Sequence, residues 1–357
     1  MNIALDATYS IGNELSGVGL YSREILYGLA EAHPKTRFLF CYRPHRYFRA
    51  RAEAFPQNVR RGMLWGPFGP QAAKIFHGLN QRLPRSFIYR SVATFHDLFV
   101  MSGDYSTPEF RARFTTQARD AAARADVLIA VSAFTKRQVV SLLGVESSRV
   151  HVIHHGVRRL VYPDVPRENL VLSVGAIQKR KNIARLVEAF RVLDSSWKLV
   201  LAGSAGFGAD EILARLPDRV LVTGYISEKE LALWYARASI FAFPSLDEGF
   251  GMPILEAMAA GVPVLTSNRS ALPEVAGRAA LLVDPQDTDA LGEELRRLAG
   301  DEDLRRDLSQ RGIVRARDFS WEKAVEQTWN VYLALNGSPH RLRSLRRAEN
   351  DDPAKSA

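Results

Sequence analysis

From residue 2 to about residue 336, short apolar runs rich in β-branched and aromatic residues alternate with amphipathic stretches of helical length. Strands joined through helices run parallel, and a parallel sheet needs cover on both faces, so this alternation restricts the chain to α/β architecture. In the first half, strands are expected at 2–6, 38–42, 74–77, 91–97, 126–132 and 149–153, with helices at 17–31, 108–124 and 133–143. Ser132 is the expected N-cap of the last of these helices and Gly144 its stop. After HHGVRRLVYPDVPREN the pattern begins again, and Pro163 and Pro166 in a polar stretch mark 157–168 as a linker. The second half reads as the strand LVLSVG, a helix at 182–193, WKLVLAG, a helix at 208–216, RVLVTG, a helix at 227–236, SIFAFP, a helix at about 253–260, and VPVLTS. Helices near 287–298, 301–316 and 321–336 close it, and the polar, aperiodic tail over 337–357 is expected to be disordered.

Two doubly wound domains, 1–163 and 164–335, fit the 357 residues, whose 46% hydrophobic content suffices for two cores. No apolar run reaches the length of a membrane span, and MNIALDATYS lacks the pattern of a signal peptide, so a cytoplasmic location is expected. The single cysteine, Cys41, excludes an internal disulfide and a Cys-based metal cluster. Charge is uneven: residues 1–164 hold 22 Lys+Arg against 12 Asp+Glu, and the remainder 26 against 27. A basic first half can attract an anionic membrane, a phosphorylated substrate or nucleic acid, although 39 Arg to 9 Lys is equally explained by compositional bias. Within it, CYRPHRYFRARAEAF interleaves Arg43, Arg46, Arg49 and Arg51 with Tyr47, Phe48 and Phe55, the composition of an anionic lipid interface or of an ordinary surface helix. No recognised nucleic-acid module accompanies it, so nucleic acid is not an expected partner.

The stretch SLDEGFGMPILEAMAAGVPVLTS, 245–267, carries the most chemistry. Pro253 suits the first turn of a helix, so Gly249 and Gly251 lie where a helix opens after a parallel strand. Such a turn leaves N–H donors for phosphate or hydroxyl oxygens, at the strand end where open α/β sheets bind ligands. Glu248 and Glu256 flank it, and two acceptor-only carboxylates beside an oxyanion-binding turn suit a ligand with several hydroxyls and a phosphate. The bland alternative is that Glu256 offsets the helix dipole and Glu248 is solvated. A second basic cluster, Arg180 and Lys181 before Asn182, sits in SVGAIQKRKNIARLVEAF where a strand passes into a helix; there it can neutralise a diphosphate or form a solvated face.

The 245–267 run resembles the signature of the retaining glycosyltransferases of family 4, the group 1 transferases: two Glu around Gly-Phe-Gly and Pro, then Glu-Ala-Met-Ala and a Gly-x-Pro-Val strand. The resemblance extends over roughly 1–335 and implies the GT-B fold, two Rossmann-like doubly wound parallel-sheet domains facing a cleft, with the helix at about 321–336 crossing back to the first. It implies that Glu248 contacts donor-sugar hydroxyls, that Glu256 holds the ribose, and that the backbone of Gly249, Phe250, Gly251 and Met252 lines the sugar and diphosphate. Arg180 and Lys181 take the donor-phosphate position and stabilise the departing diphosphate; Ala176 stands where many relatives carry another arginine. In VTGYISEKELALWYARASI, backbone around Tyr225 and Ile226 would pin the base, which hides the base's identity. Gly17 and Gly19, in LSGVGLYSREIL, make a weak dinucleotide fingerprint because Ser22 replaces the third glycine; in the family such a loop caps the donor phosphate.

His96, in SVATFHDLF, corresponds to a family histidine close to the transferred sugar, although a lone histidine at a strand end is commonly structural. His77, His154 and His155 also end strands, and His155 is assigned to interdomain packing. The set FHDL, VSAFTK, HHGV and QKRKN looks most like bacterial mannosyltransferases that build O-antigen or exopolysaccharide units from GDP-mannose. The resemblance thus implies a hexosyltransferase that retains anomeric configuration, with His96, Glu248, Arg180 and Lys181 catalytic. It implies no cofactor, no metal, a nucleotide-sugar donor and a lipid-linked saccharide acceptor, the basic domain docking on the inner face of the cytoplasmic membrane. A UDP- or dTDP-sugar donor is the alternative within the fold. Outside it stand a nicotinamide-dependent dehydrogenase, which leaves the Glu248 to Glu256 run unexplained, and a non-catalytic polyanion or lipid adaptor, which has no need of an intact donor set.

Overall fold

The computed structural model describes residues 1–337 except 13, 66–69, 71, 72, 87 and 215. The tail beyond 337 lies outside the described residues. The chain divides into two compact units, one of 1–101, 109–156 and 320 onward, the other of 102–108 and 157–319.

The first unit is built on a seven-stranded parallel sheet in the order β3-β2-β1-β4-β5-β6-β7. Its strands are β1 (Asn2–Asp6), β2 (Arg37–Tyr42), β3 (Val59–Met63), β4 (Ile75–Gly78), β5 (Ser91–Phe95), β6 (Val127–Ala130) and β7 (Val150–Val152). The central strands β4, β5 and β6 are buried along their whole length, so β6 reads as an unbroken apolar run and β4 and β5 as mainly apolar ones whose His77 and Thr94 are hydrogen-bonded. β3, VRRGM, was not expected: it is an edge strand whose two arginines and glycine interrupt the apolar signal. Helix α1 (Gly17–Ala32) is capped by Ser16, α4 spans Pro108–Arg124, and α5 (Ala133–Leu143) starts on Ser132 and stops on Gly144 in a left-handed conformation. Two short helices, α2 (Pro44–Tyr47) and α3 (Phe99–Ser102), fall between these.

The final helix, α13 (Trp321–Asn336), belongs to this unit and packs along α1. Gly28 permits the approach, since a Cβ there would lie 2.6 Å from Val325, and His33 stacks on Trp329 at 3.6 Å. A buried hydrogen-bonded chain ties α13 to the sheet and α1: the Tyr332 hydroxyl to His77 Nδ1 at 2.5 Å, His77 Nε2 to Thr94 Oγ1 at 2.8 Å, and Thr94 Oγ1 to the Tyr21 hydroxyl at 3.0 Å.

The second unit has a six-stranded parallel sheet in the order β10-β9-β8-β11-β12-β13. Its strands are β8 (Glu168–Val174), β9 (Lys198–Ala202), β10 (Val220–Gly224), β11 (Ala238–Phe243), β12 (Val264–Ser267) and β13 (Ala280–Val283). Helices α6 (Ile183–Phe190), α7 (Ala209–Leu213), α8 (Glu228–Arg237), α9 (Met252–Ala259), α10 (Leu272–Ala276), α11 (Thr288–Gly300) and α12 (Glu302–Ala316) connect and cover it. The core of one face is Leu186, Phe190, Leu199, Leu201, Leu291 and Leu295. Neither β13 nor the five-residue α10 was expected.

The division falls after Gly156, so 157–163, read from sequence as the end of the first domain, packs in the second unit. Side chains explain this: Arg158 and Tyr162 both reach α9, at the carboxylate and the carbonyl of Glu256.

Candidate active site

In the second sheet the strand order reverses between β8 and β11, so the loops leaving their carboxyl ends part to opposite faces and open a crevice. The loop after β8 turns at Gly175, runs through a 3₁₀ turn over Lys179–Lys181, and enters α6 through Asn182 at φ 59°. The loop after β11 carries Ser245 to Gly251 into α9. Backbone bonds fasten the two: Leu246 N–H to the Arg180 carbonyl at 2.8 Å, and Ser245 Oγ to the same carbonyl at 3.1 Å.

Glu248 stands at that junction. Lys181 Nζ and Ser245 Oγ donate to its Oε1, each at 2.6 Å, and Arg180 Nη1 lies 2.9 Å from the same atom. Arg180 also donates to the Asp247 carbonyl, and Asp247 Oδ2 accepts from Ser102 at 2.7 Å. Oε2 of Glu248 carries none of these bonds. Burial alone would push this carboxyl up; the Arg180 and Lys181 charges and the Lys181 and Ser245 hydrogen bonds outweigh it and hold it down at about 2. Two cations thus converge on one carboxylate oxygen.

Gly251 precedes α9 at φ 111°, which a side chain rarely adopts, and a Cβ there would meet Leu272 at 2.7 Å. Phe250 is buried edge-on against Phe319 at 5.8 Å, Met252 is the first residue of α9, and Pro253 lies in its first turn. Gly249 is buried before them. Glu248 is tied down from behind, its N–H donating to Ser270 Oγ at 3.1 Å and its carbonyl accepting from Ala271 N–H at 3.2 Å.

Glu256, further along α9, has the opposite surroundings. Tyr235 donates to Oε2 at 2.8 Å, the Arg158 guanidinium forms an ion pair with Oε1 at 3.1 Å, and Tyr162 donates to the backbone carbonyl at 3.2 Å. Here burial wins over Arg158 and Tyr235, and the carboxyl is raised. Glu248 is therefore not the solvated loop residue of the bland alternative, and Glu256 is buried as well. Beside α8, Tyr225 is half-exposed, Gly224 is left-handed at φ 69°, and Ser227 with Glu230 closes a capping box, leaving Tyr225 and Ile226 in a tight turn.

In the first unit, Gly17 and Gly19 lie inside the first turn of α1 rather than in a loop ahead of it. Gly19 N–H is engaged by Ser16 Oγ at 3.2 Å, and a Cβ on Gly19 would come within 2.9 Å of the Tyr9 carbonyl, so close backbone packing accounts for this glycine. His96 follows β5 and is buried against the Tyr21 ring edge at 4.7 Å. Its Nε2 donates to the Leu79 carbonyl at 2.8 Å, which fixes the proton on Nε2 and leaves Nδ1 as an acceptor. Burial, opposed by that hydrogen bond, lowers His96 to about 4, so it is neutral at pH 7. His155 stacks within the same cluster, on Tyr21 at 4.9 Å and Trp321 at 5.7 Å.

Within the lipid-interface candidate, Tyr47 lies under Arg61 at 4.7 Å and Phe55 packs on Phe40 at 6.0 Å, so only Phe48 of its three aromatics is exposed. No described helix is long and apolar enough to cross a membrane.

Sequence reasoning missed Ser245, Ser270, Tyr235 and Arg158. Ser245, three residues before Glu248 in the same run, could have been found from that spacing; the others come from distant segments.

Residues 161–315 match the model of the glycosyl transferases group 1, and residues 16–159 that of Glycosyltransferase Family 4. The chain is 33% identical to the O-antigen chain mannosyltransferase B of Escherichia coli over 73% of this chain and 74% of that protein. It is 27% identical to the serotype-specific mannosyltransferase WbdA of Escherichia coli, over 72% of this chain but 34% of that longer protein. Among solved structures, the sucrose-phosphate synthase of Thermosynechococcus elongatus superposes with a TM-score of 0.76 at 23% identity, covering 94% of this chain and 98% of that one. With both models matched in order and two parallel-sheet α/β domains beneath them, the chain has the GT-B fold and belongs to the group 1 glycosyltransferases of family 4.

Proposed function

We propose that this glycosyltransferase moves a mannosyl unit from GDP-mannose to a saccharide acceptor, a lipid-linked oligosaccharide of O-antigen or exopolysaccharide synthesis, with retention of configuration. The observation that carries the donor site is the Glu248 cluster: two cations drawn to one carboxylate oxygen, at the mouth of α9, with Oε2 outside these two ion pairs. The diphosphate sits against Arg180, Lys181 and the first N–H groups of α9, while Oε2 accepts from a donor-sugar hydroxyl. Glu256 accepts from the ribose, and backbone at Tyr225 and Ile226 meets the base. The mannose assignment is supported by the names of the two mannosyltransferase relatives.

In the reaction the bond from the anomeric carbon to the diphosphate breaks, and the acceptor oxygen bonds to that carbon on the same face. The acceptor's proton passes to the departing diphosphate oxygen, so no carboxylate nucleophile is required. Arg180 and Lys181 stabilise the charge that develops as the diphosphate leaves. His96, neutral with a free acceptor at Nδ1, receives a hydrogen bond from a sugar hydroxyl near the transferred unit. Because the charge is met by side chains, turnover is metal-independent; activity lost to a chelator and restored by Mg²⁺ or Mn²⁺ would contradict this.

The deciding experiment is a thermal-shift panel of GDP, UDP, dTDP, ADP, NAD and their sugar conjugates on the wild type and Glu256→Ala. Stabilisation by GDP and GDP-mannose that the substitution weakens is the expected result. A shift with UDP or dTDP instead would transfer the reading to those donors, and no shift with any nucleotide would favour the adaptor. Peripheral membrane association of the basic half is tested by flotation with anionic liposomes, where binding lost at high salt is expected and no binding would sink the idea.

A further inference from the structure

The connection into the second unit delivers a cation to the second glutamate. We propose that Arg158 is a positioning residue for nucleotide binding: set against Oε1 of Glu256 while Tyr235 holds Oε2, its guanidinium fixes that carboxylate as a charged, two-sided acceptor for the ribose hydroxyls. This rests on the ribose role given to Glu256 above. Each carboxylate oxygen has two acceptor positions. In this structure the Tyr235 hydroxyl takes one on Oε2 at 2.8 Å, while Arg158 Nε stands 3.1 Å from Oε1 as a charge partner without a hydrogen bond. A hydrogen bond at one oxygen and a cation beside the other meet the carboxylate before a ligand arrives.

The groups facing Glu256 come from three elements. The segment after Gly156 supplies Arg158, with 19% of its side chain exposed, and Tyr162, whose hydroxyl donates to the Glu256 carbonyl at 3.2 Å. Helix α8 supplies Tyr235 and, at its first residue, the exposed Glu228, which lies 3.8 Å from Arg158 Nη1. Helix α9 carries Glu256 itself. Arg158 is therefore the cation in the set, facing one buried and one exposed carboxylate. Burial raises the Glu256 carboxyl, Glu228 adds to the rise, and Arg158 and Tyr235 oppose it. Without Arg158 the rise has lost its main opponent. A protonated Glu256 becomes partly a donor and accepts less well from two hydroxyls.

The sign follows. In Arg158→Gln, nucleotide affinity should be weakest at low pH and recover as pH rises and Glu256 ionises. Arg158→Lys, which keeps the charge but not the shape, should fall between the variant and the wild type.

The test is calorimetric titration of GDP and of 2′,3′-dideoxy-GDP, with UDP and its dideoxy analogue in parallel, between pH 5.5 and 9. The wild type should prefer the ribonucleotide over the dideoxynucleotide at every pH. Arg158→Gln should lose about tenfold or more in ribonucleotide affinity at pH 6, regain most of it by pH 9, and bind the dideoxynucleotide as the wild type does. A purely structural Arg158 would weaken both ligands equally with no change in pH profile, and that outcome overturns the inference. A wild type indifferent to the ribose hydroxyls, or blind to both nucleotides, overturns instead the ribose reading of Glu256 beneath it.

Discussion

Replacing Glu248 by Gln removes one carboxylate from between two buried cations, and the size of the effect can be worked from its surroundings. The folded protein holds this carboxyl at about 2, against an ordinary 4.5. That displacement is worth about 3 kcal/mol in favour of the ionised folded state. A second route gives the same scale: removing one partner from a buried ion pair costs about 3–5 kcal/mol because the remaining charge is left unpaired. Arg180 and Lys181 would then lose the carboxylate oxygen that they share. For a cooperative unit of this size, 3 kcal/mol corresponds to a fall in Tm of about 6–12 °C. Since the folded value lies below the unfolded one, the contribution is complete above about pH 4.5 and disappears as pH falls through about 2. At pH 3 linkage leaves about 1 kcal/mol of it. Thermal unfolding of the ligand-free wild type and Glu248→Gln, followed by near-UV circular dichroism from pH 7 down to pH 3, measures the difference. A variant as stable as the wild type at pH 7, or a penalty that does not shrink towards pH 3, would refute the reasoning.

Gly251→Ala places a Cβ 2.7 Å from Leu272 on a residue at φ 111°, and should cost about 1–3 kcal/mol while weakening nucleotide binding; denaturant melts and a nucleotide titration check both, and an unaltered midpoint would contradict the strained turn. Tyr332→Phe takes the hydroxyl from His77 Nδ1 in a fully buried chain, and should lower stability by about 1–3 kcal/mol. Because burial keeps His77 down at about 3, that loss should be the same at pH 6 and pH 8, and a penalty that changes across this range would mean that His77 is charged.

The alternation of apolar and amphipathic segments was enough to read the inner strands of both sheets, because parallel strands buried on two faces are mainly apolar. It failed at the margins for the same reason. β3 carries Arg60 and Arg61 on an edge that need not be buried, and β13 is the edge of the other sheet, with only its last residue buried. The linker was legible from Pro163 and Pro166, but its attachment was not: Arg158 and Tyr162 bind α9, and nothing in the local sequence says that a side chain finds its partner about a hundred residues on. Gly17 and Gly19 were expected in a phosphate-capping loop; their place inside α1 follows from Ser16, which caps the helix one residue before them.

The spacing of Glu248 and Glu256 says that two carboxylates flank a glycine turn, yet it cannot say that they differ. Glu248 lies at the meeting of two loops, and the 3₁₀ turn after β8 aims two of its three cations, Arg180 and Lys181, at a single oxygen. Glu256 points from α9 into packed aromatic surroundings, with one cation set against it. Both are nearly inaccessible, so burial penalises both, and the count of cations decides the sign. This division suits the two ends of a sugar nucleotide. The end carrying the diphosphate needs cations held close together, as Arg180 and Lys181 are at one shared carboxylate oxygen. The end carrying the ribose needs neutral surroundings with well-aimed acceptors, which a lone carboxylate steadied by Tyr235 and Arg158 provides.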